Sequence, residues 1–220
     1  MKIQQPGKAW GYHFGGDKGT FNDTSVSAFV MMALKDAKLC GIKFDYSKAC
    51  KGLTAYYQSI CTGKHKGIGQ YRSIASAPLP RRHSNTAIVL LCRQLMGKRR
   101  SNPAIKEGVE YILQEGIKYS TTGRFEDDEG LYYVYYASLG MFQYGGKEWK
   151  KWNKMMKPAL LKAQIKGGCA DGSWPVANDK EIPNYFQKRF SFEKQAGKVY
   201  TTTLAILTLE VYYRYSPLFR

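Results

Sequence analysis

The sequence predicts an all-α protein in which strongly apolar helices alternate with amphipathic ones. Helical periodicity recurs along the chain, whereas segments with the alternating pattern of a strand are few. Four segments, beginning near residues 24, 86, 131 and 199, are apolar on nearly every face. A helix of that kind is expected to be buried on every face. The segments recur at a loose period of roughly 45–70 residues, which is typical of helical repeat architectures.

The first half of the chain is predicted to hold two apolar helices with an amphipathic one between them. The first follows Asp23, a competent N-cap, and runs to Leu39. The more amphipathic segment from Tyr46 to Ile60 comes next, and a long connection with glycine and proline spans Gly63 to Arg82. The second apolar helix covers Thr86 to Met96 and stops at a glycine.

The second half is predicted to begin with a helix at Pro103, because proline is favoured in the first turn. The apolar stripe of this helix comprises Ile105, Val109, Ile112, Leu113 and Ile117. Leu131 to Tyr144 forms a third helix without a polar side. Lys147 to Lys166 carries lysines on one face and tryptophan and aliphatic residues on the other, and Pro158 is expected to kink it or to begin a second helix. Val199 to Tyr213 is the last apolar helix.

The alternation predicts two concentric layers of helices. A helical pair of this kind cannot bury its own hydrophobic face, so neighbouring pairs must close around a common axis. The apolar helices would form an inner ring and the amphipathic helices an outer ring, as in an α/α barrel or solenoid; a compact helical bundle is the alternative. We expect one α/α-toroid-like domain over residues 1–220, an incomplete ring with four inner helices. The chain enters in mid-repeat near residues 9–12, which indicates the C-terminal part of a longer protein.

Composition and charge limit the classes of function that the protein can have, but they do not select one class. The chain has 220 residues and is 44% hydrophobic, so it can bury a substantial core, and its composition is not typical of a disordered chain. The net charge of +17 favours anionic partners, although spread charges on a solvated surface explain it equally well. The five cysteines form no Cys-x-x-Cys pair and are expected to be buried free thiols. No signal-peptide pattern and no apolar run of about 18 residues occurs, which leaves the compartment open.

The stretch from Leu161 to Trp174 carries the most specific motif, in which a helical run ends at Gln164 and a glycine-rich turn closes on the tryptophan. It resembles the Gln…Gly-x-Trp repeat of the terpenoid cyclase and protein prenyltransferase superfamily, where the glutamine caps a helix end and the tryptophan stacks nearby. Tyr200 to Glu210 resembles the final inner helix of that family, and Asn22 to Leu34 resembles an earlier one. The chain is similar in particular to squalene-cyclase-like proteins of unassigned function. The resemblance covers most of the chain and implies an α/α toroid, but a fold alone does not establish an activity.

The resemblance also predicts where a cyclase acid would lie. Triterpene cyclases of the family protonate an alkene with the middle aspartate of Asp-x-Asp-Asp-Thr-Ala at the head of an inner helix. The matching stretch is Thr20 to Ser25, which places Asn22 at the donor position, and an amide cannot give up that proton. Asp23 is then the only catalytic candidate, and a weak one, because an N-cap explains it as well.

The metal sites of the superfamily are incomplete in this chain. Prenyltransferases hold zinc with an aspartate, a cysteine two residues later and a distant histidine. The corresponding helix starts are Glu129 to Leu131 and Tyr200 to Thr202, where leucine cannot bind zinc and threonine replaces histidine poorly. Asp127 and Asp128 lack the third carboxylate of a magnesium motif and instead suit the positive end of a helix. The histidines, at no ligand spacing, are His13, His65 and His83. We therefore expect no metal site and no cofactor.

Tyrosines crowd two of the predicted inner helices, where they would suit the wall of a cavity. The ligand-cavity candidates, which combine these tyrosines with the head of the first helix, are Asn22, Asp23, Tyr132, Tyr133, Tyr136, Tyr200 and Tyr212. Such a wall would hold a polyisoprenoid or another apolar ligand, and its rings could stabilise a cation. Ordinary helix packing explains the same rings.

The leading hypothesis is a scaffold of unassigned activity that binds an apolar, isoprenoid-like ligand or a protein partner. A partner or missing N-terminal repeats would close the ring. The alternative is a terpenoid cyclase or prenyltransferase-type enzyme with a non-standard acid. A third hypothesis is a module that binds anionic surfaces, including peripheral membrane contact, through the lysines between Lys147 and Lys157. Nucleic acid gains little support, because the aromatic rings lie on the face opposite these lysines.

Overall fold

The computed structural model describes residues 9–12, 22–71, 83–117, 130–176 and 192–214. Across these ranges the regular structure is helical, and no strand forms beyond an isolated bridge between Thr62 and Ile68. The prediction of an all-α protein is confirmed for this part of the chain. None of the helices described combines the length and the hydropathy needed to cross a bilayer. The chain divides into two compact units, the first ending at Ile112 and the second beginning at Leu113. A single domain over residues 1–220 stays a prediction.

Four helices begin in the first unit, namely α1 (Thr24–Leu39), α2 (Tyr46–Ile60), α3 (His83–Leu95) and α4 (Pro103–Glu115). Local signals explain where they start. The Asp23 carboxylate accepts a 2.9 Å hydrogen bond from the backbone of Val26, and the Asp45 carboxylate caps α2 in the same way at 2.8 Å. Asn102 caps α4 at 3.0 Å, directly before the proline in its first turn. These helices start and end within a few residues of the predicted bounds.

The core helix of the first unit is α3, against which α1 packs. Every α3 residue from Ser84 to Gln94 is buried, which confirms the predicted burial on all faces. The same prediction is wrong for α1. Its buried residues are Thr24, Ser27, Ala28 and Met31. Phe29 is 58% exposed, because the elements packed against α1 cover one side of the helix and not the other.

The second unit contains α5 (Gly130–Tyr144), α6 (Gly146–Ala163), a short 3₁₀ helix (Gly168–Ala170), α7 (Phe192–Leu209) and α8 (Val211–Arg214). Its core helix is α5, which packs against α6, α7 and α8. Every α5 residue except Tyr132 is buried, as predicted for a helix without a polar side. A break interrupts α7 at Gly197, whose φ of 66° lies in the left-handed region that glycine tolerates best.

The two faces of α6 differ as predicted. Trp152, Met156 and Leu160 are buried, and the indole of Trp152 donates a 2.9 Å hydrogen bond to the Ser138 hydroxyl of α5. The opposite face is exposed and carries Lys147, Lys150, Lys151, Lys154 and Lys157. Pro158 neither ends α6 nor begins a second helix, and α6 continues to Ala163.

The turn after α6 folds back onto the end of that helix. Gln164 occupies the C-cap position, and its side-chain amide donates a 2.9 Å hydrogen bond to the carbonyl oxygen of Gly172. The indole N–H of Trp174 donates at 2.8 Å to the carbonyl oxygen of Leu160. Two side chains of the predicted motif therefore hold the turn, one at the surface and one buried.

A similar contact recurs at three of the helices. One hydroxyl in the first turns of α1, one in the first turns of α3 and one just after the break at Gly197 in α7 each accept a hydrogen bond of 3.0–3.1 Å from the backbone N–H of a residue earlier in the chain. The pairs are Trp10 with Ser27, Gly69 with Thr86, and Trp174 with Thr202. We call these three hydrogen bonds the helix-start contacts. Each holds the incoming chain against the first turns of a helix, and so sets where the polar groups at that end of the helix lie.

The cysteines match the prediction only in part. All five are free. Cys61 and Cys92 are buried as expected, whereas Cys40 and Cys169 are exposed because they lie beyond the end of α1 and in the surface turn after α6.

Candidate functional site

The head of α1 holds the weak catalytic candidate, Asp23. The residue is 4% exposed, and its Oδ1 accepts hydrogen bonds from the backbone N–H of Val26 at 2.9 Å and from the Ser25 hydroxyl at 2.5 Å. Its backbone N–H donates to the carbonyl oxygen of Trp10 at 2.8 Å. These bonds hold the carboxylate as an acceptor, whereas an acid catalyst must direct a proton at its substrate. The geometry is that of an N-cap.

The neighbouring Asn22 lies in a buried polar cluster. Its backbone carbonyl accepts a 3.2 Å hydrogen bond from the Tyr56 hydroxyl of α2. The Thr24 hydroxyl donates to the backbone carbonyls at residues 70–71, each 2.8 Å away. The side-chain oxygen of Asn22 is buried and receives no hydrogen bond from the residues that the structure describes. A ligand that donates one hydrogen bond would satisfy this oxygen, but an amide there cannot supply the proton of a cyclase.

Tyr12 interacts with this cluster through Asp23 and Ser25. Burial, followed by the negative charge of Asp23, raises the pKa of the Tyr12 hydroxyl, while a hydrogen bond with Ser25 lowers it. The net direction keeps the phenol protonated at neutral pH. Tyr12 is therefore a hydrogen-bond donor at the head of α1 and not a general base.

The candidate tyrosines of α5 pack against other rings. Tyr136 is fully buried, and its ring centroid lies 4.9 Å from that of Tyr132 and 5.1 Å from that of Tyr135, both edge to face. Tyr133 meets Trp152 of α6 in the same geometry at 5.8 Å. Edge-to-face pairs of this kind stabilise helix packing. The alternative interpretation of these rings, ordinary packing, accounts for Tyr133 and Tyr136 directly.

The two remaining tyrosines lie on the last helices. The ring of Tyr212 contacts Trp149 of α6 at 5.4 Å, and its hydroxyl donates to the side-chain oxygen of Asn153. Tyr200 is half-buried. Asn22 and Asp23 belong to the first unit and all five tyrosines to the second. That all seven line one cavity stays a prediction.

An apolar stripe on α7 and α8 is exposed to solvent. The sequence had predicted one helix from Val199 to Tyr213 that is buried on every face. Val199 is 79% exposed, Ile206 43% and Tyr213 90%, and the three follow one another at intervals of seven residues. We call these three residues the α7 apolar face. The opposite side, with Leu204, Ala205 and Val211, is buried. No sequence signal distinguishes the two sides, because both are apolar.

The described residues offer no group of three or more histidine, cysteine or acidic side chains placed to hold a metal ion. His65 is exposed, whereas His83 is half-buried and its Nδ1 lies 2.8 Å from the hydroxyl of Tyr111. His13 and the acidic turn at residues 127–129 lie outside the described residues.

Comparisons of the chain with protein-family models, with curated proteins and with solved structures found no match. The resemblance to terpenoid cyclases and prenyltransferases therefore depends on the residues of the sequence alone.

Proposed function

We propose that the protein is a non-catalytic scaffold of the α/α-toroid type that binds a protein partner through the α7 apolar face. The observation that carries the proposal is the exposure of Val199 and Ile206 on α7 and of Tyr213 on the short α8 that follows it, while Leu204, Ala205 and Val211 on the same two helices are buried. Contiguous exposed apolar side chains on a soluble surface mark sites of interaction.

The shape of this face favours a helix as the partner element. Side chains seven residues apart form a straight seam on a helix, and such a seam is the contact that an amphipathic partner helix covers. A small apolar ligand would need a concave pocket instead. Near the end of the seam Glu210 and Arg214 pair with each other at 3.4 Å. Little net charge is left there to attract an anionic membrane.

The burial pattern of the core helices supports an open ring. In such a ring the first and last inner helices lack a neighbour on one side, whereas those between them are covered on all sides. Within their own units, α3 and α5 are buried on nearly every face and α1 and α7 on one side only, and this is the burial that the proposed ring requires. The helix-start contacts on α1, α3 and α7 add a second recurring feature.

The head of α1 favours a scaffold over an enzyme with a rearranged acid. Asp23 Oδ1 accepts two hydrogen bonds from the start of its own helix, which gives this residue the structural role of an N-cap. Asn22 provides an amide where the resemblance places the acid.

Sedimentation velocity over a range of protein concentrations tests first whether the partner is a second copy of the chain. The parent is compared with Ile206→Lys and with Leu161→Lys, a matched control that places a lysine at an apolar α6 residue that is 47% exposed. If the partner is another protein, it is captured from a lysate of the source cells, purified, and titrated against all three proteins. We expect Ile206→Lys to weaken the complex at least about tenfold, since a buried apolar side chain contributes about 1.5–3 kcal/mol. Leu161→Lys should bind like the parent.

Hydrogen exchange gives the second measurement. Amides of α7 should become more protected when the complex forms, while those of α6 should not change. The proposal is wrong if Ile206→Lys and Leu161→Lys bind alike, or if protection appears only outside α7.

A further inference from the structure

A polar cavity of about 80 Å³ lies in the first unit, where α2, the end of α3 and the start of α4 meet. The residues around it that matter chemically are Thr54, Tyr57, Arg93, Lys98 and Asn102. A single water molecule needs roughly 10–15 Å³ of cavity volume, so the cavity has room for several waters or for one small oxyanion.

Arg93 is a buried cation without a carboxylate. The side chain is 6% exposed, and its Nη1 is buried with no hydrogen-bond partner. Nowhere in the part of the chain that the structure describes does an acidic group lie within ion-pair distance of it. The Arg93 Cζ lies 6.0 Å from the centre of the Tyr57 ring, which holds the guanidinium by one face. A guanidinium does not lose its proton, and an unpaired buried charge is costly, so an anion is needed to balance it.

The thiol of Cys61, which is hydrogen-bonded to Arg93, cannot provide that anion. Burial raises the pKa of the Cys61 thiol to about 11, although the charge of Arg93 and a hydrogen bond to it pull in the opposite direction. Cys61 is therefore a neutral thiol at physiological pH. Among the residues that the structure describes, no carboxylate compensates the positive charge of Arg93.

Three further features make the cavity attractive to anions. Lys98 brings a second full positive charge to its wall. Asn102 and Ala104 place the first turn of α4, a helix of 13 residues, on the same wall. Asn102 already accepts hydrogen bonds from the first N–H groups of α4, so the helix contributes the partial positive charge of its dipole and no free donor. The Thr54 hydroxyl points only at the Met96 sulfur, 3.8 Å away, which is a weak acceptor that an oxyanion would replace.

We propose that this cavity is a binding site for a phosphate-like dianion, either free phosphate or the phosphate group of a larger molecule. Arg93 would pair with it as the buried anchor, since a guanidinium matches the geometry of phosphate oxygens. Lys98 would supply the second charge, and the start of α4 would add its dipole. Two positive residues and no acidic residue are found among the described residues that line the cavity, and this combination suits a dianion better than a monocarboxylate.

Titration of inorganic phosphate into the full chain tests the site, with binding followed by calorimetry and the total ionic strength held constant with sodium chloride. Lys98→Ala should weaken binding about three- to tenfold, and Arg93→Met should weaken it more than about tenfold, because each removes a charged hydrogen-bonding partner. Lys154→Ala removes one charge from the exposed face of α6 and is the matched control. Its affinity should stay within about twofold of the parent. Phosphate should also raise the melting temperature of the parent, but not that of Arg93→Met.

Acetate tests whether the site prefers a dianion to a monocarboxylate. Glycerol 3-phosphate tests whether the site prefers a phosphate ester to free phosphate. Acetate should bind at least about tenfold more weakly than phosphate, and tighter binding of the ester than of free phosphate would indicate a larger phosphorylated molecule. Equal losses in Lys98→Ala and Lys154→Ala would show that phosphate is attracted only by the net charge of +17, and the proposal would be overturned. Binding of acetate as strong as that of phosphate would overturn the dianion assignment. If circular dichroism shows that Arg93→Met does not fold, Lys98→Ala and Thr54→Val decide the question.

Discussion

The indole nitrogen of Trp174 donates a 2.8 Å hydrogen bond to the carbonyl oxygen of Leu160, in the last turn of α6. Trp174 is 3% exposed, and its own backbone carbonyl accepts a 2.9 Å hydrogen bond from the Thr201 hydroxyl of α7. One buried residue therefore joins the end of α6 to the start of the unbroken part of α7. The turn that carries the most specific motif of the sequence is also a structural joint of the second unit.

Substitution of Trp174 should show how much this joint stabilises the protein. Trp174→Phe keeps an aromatic ring but leaves the Leu160 carbonyl without its donor, which should cost about 1–3 kcal/mol in the free energy of unfolding. Trp174→Ala also creates a cavity and should cost about 3–5 kcal/mol. Gln164→Ala removes an exposed hydrogen bond and should cost less than about 1 kcal/mol. Urea denaturation measures all three, and equal costs for Gln164→Ala and Trp174→Phe would contradict the role of the indole.

Gly69 should be intolerant of any side chain. A Cβ at this position would lie 2.3 Å from the backbone oxygen of Asn85 in α3, so the incoming chain would have to move and lose its hydrogen bond to Thr86. Gly69→Ala should therefore reduce the free energy of unfolding by at least about 2 kcal/mol. At Gly41 the added Cβ meets open space and only the positive φ of 78° is unfavourable, so Gly41→Ala should cost about 1 kcal/mol. Thermal unfolding would reject this account if the two substitutions were equally harmful.

The ends of the helices were predictable because their signals are local. Asp23 caps α1 and a proline opens α4, each within the residues that mark the helix start. The sides on which α1 and α7 are buried were not predictable. The sequence of an all-apolar helix does not indicate which face a neighbouring helix covers. The covered face depends on packing between segments that are distant in the chain.

The candidate site was predicted less well than the fold. The sequence predicted that tyrosines line a cavity. Periodicity cannot distinguish a ring that lines a cavity from a ring that packs on Trp152, as that of Tyr133 does. Arg93 was not singled out, because it lies in a segment interpreted as an apolar helix. Arg93 is a candidate because its guanidinium is buried and no described carboxylate pairs with it, and both properties are visible only in the folded structure.

Substitutions of Asp23 separate its role as an N-cap from that of an acid. Asparagine also caps helices well, so Asp23→Asn should change the free energy of unfolding by less than about 0.5 kcal/mol, while Asp23→Ala should cost about 1 kcal/mol. Chemical denaturation provides both values. The carboxylate accepts its hydrogen bonds through one oxygen, which the asparagine carbonyl reproduces.

The same pair of variants tests the enzyme hypothesis. We expect the parent and Asp23→Asn to release no product from squalene or prenyl diphosphates after long incubation, as judged by gas chromatography and mass spectrometry. A product formed by the parent and lost in the equally stable Asp23→Asn would show that Asp23 is an acid catalyst, and the non-catalytic scaffold would be wrong.

Thiol labelling should distinguish the cysteines by their burial. Cys40 and Cys169 are exposed and should react with iodoacetamide within minutes at pH 8. Burial raises the pKa of Cys92 to about 12 and that of Cys61 to about 11, so neither forms the reactive thiolate in the folded protein. Mass spectrometry of labelled peptides should find these two modified only after unfolding. Rapid labelling of Cys92 in the native state would contradict its position in the core.

The raised thiol pKa values also predict a loss of stability at alkaline pH. In the unfolded chain these thiols titrate near pH 9, so above that pH the unfolded state releases protons that the folded state retains. The contribution to stability is complete below pH 9 and falls as the pH rises towards 11–12. The urea midpoint of the parent should therefore be lower at pH 10.5 than at pH 8. Cys61→Ala should show a smaller fall than the parent, whereas Cys169→Ala, which changes an exposed thiol, should show the same fall. Identical pH dependence in all three proteins would mean that the buried thiol does not couple folding to pH.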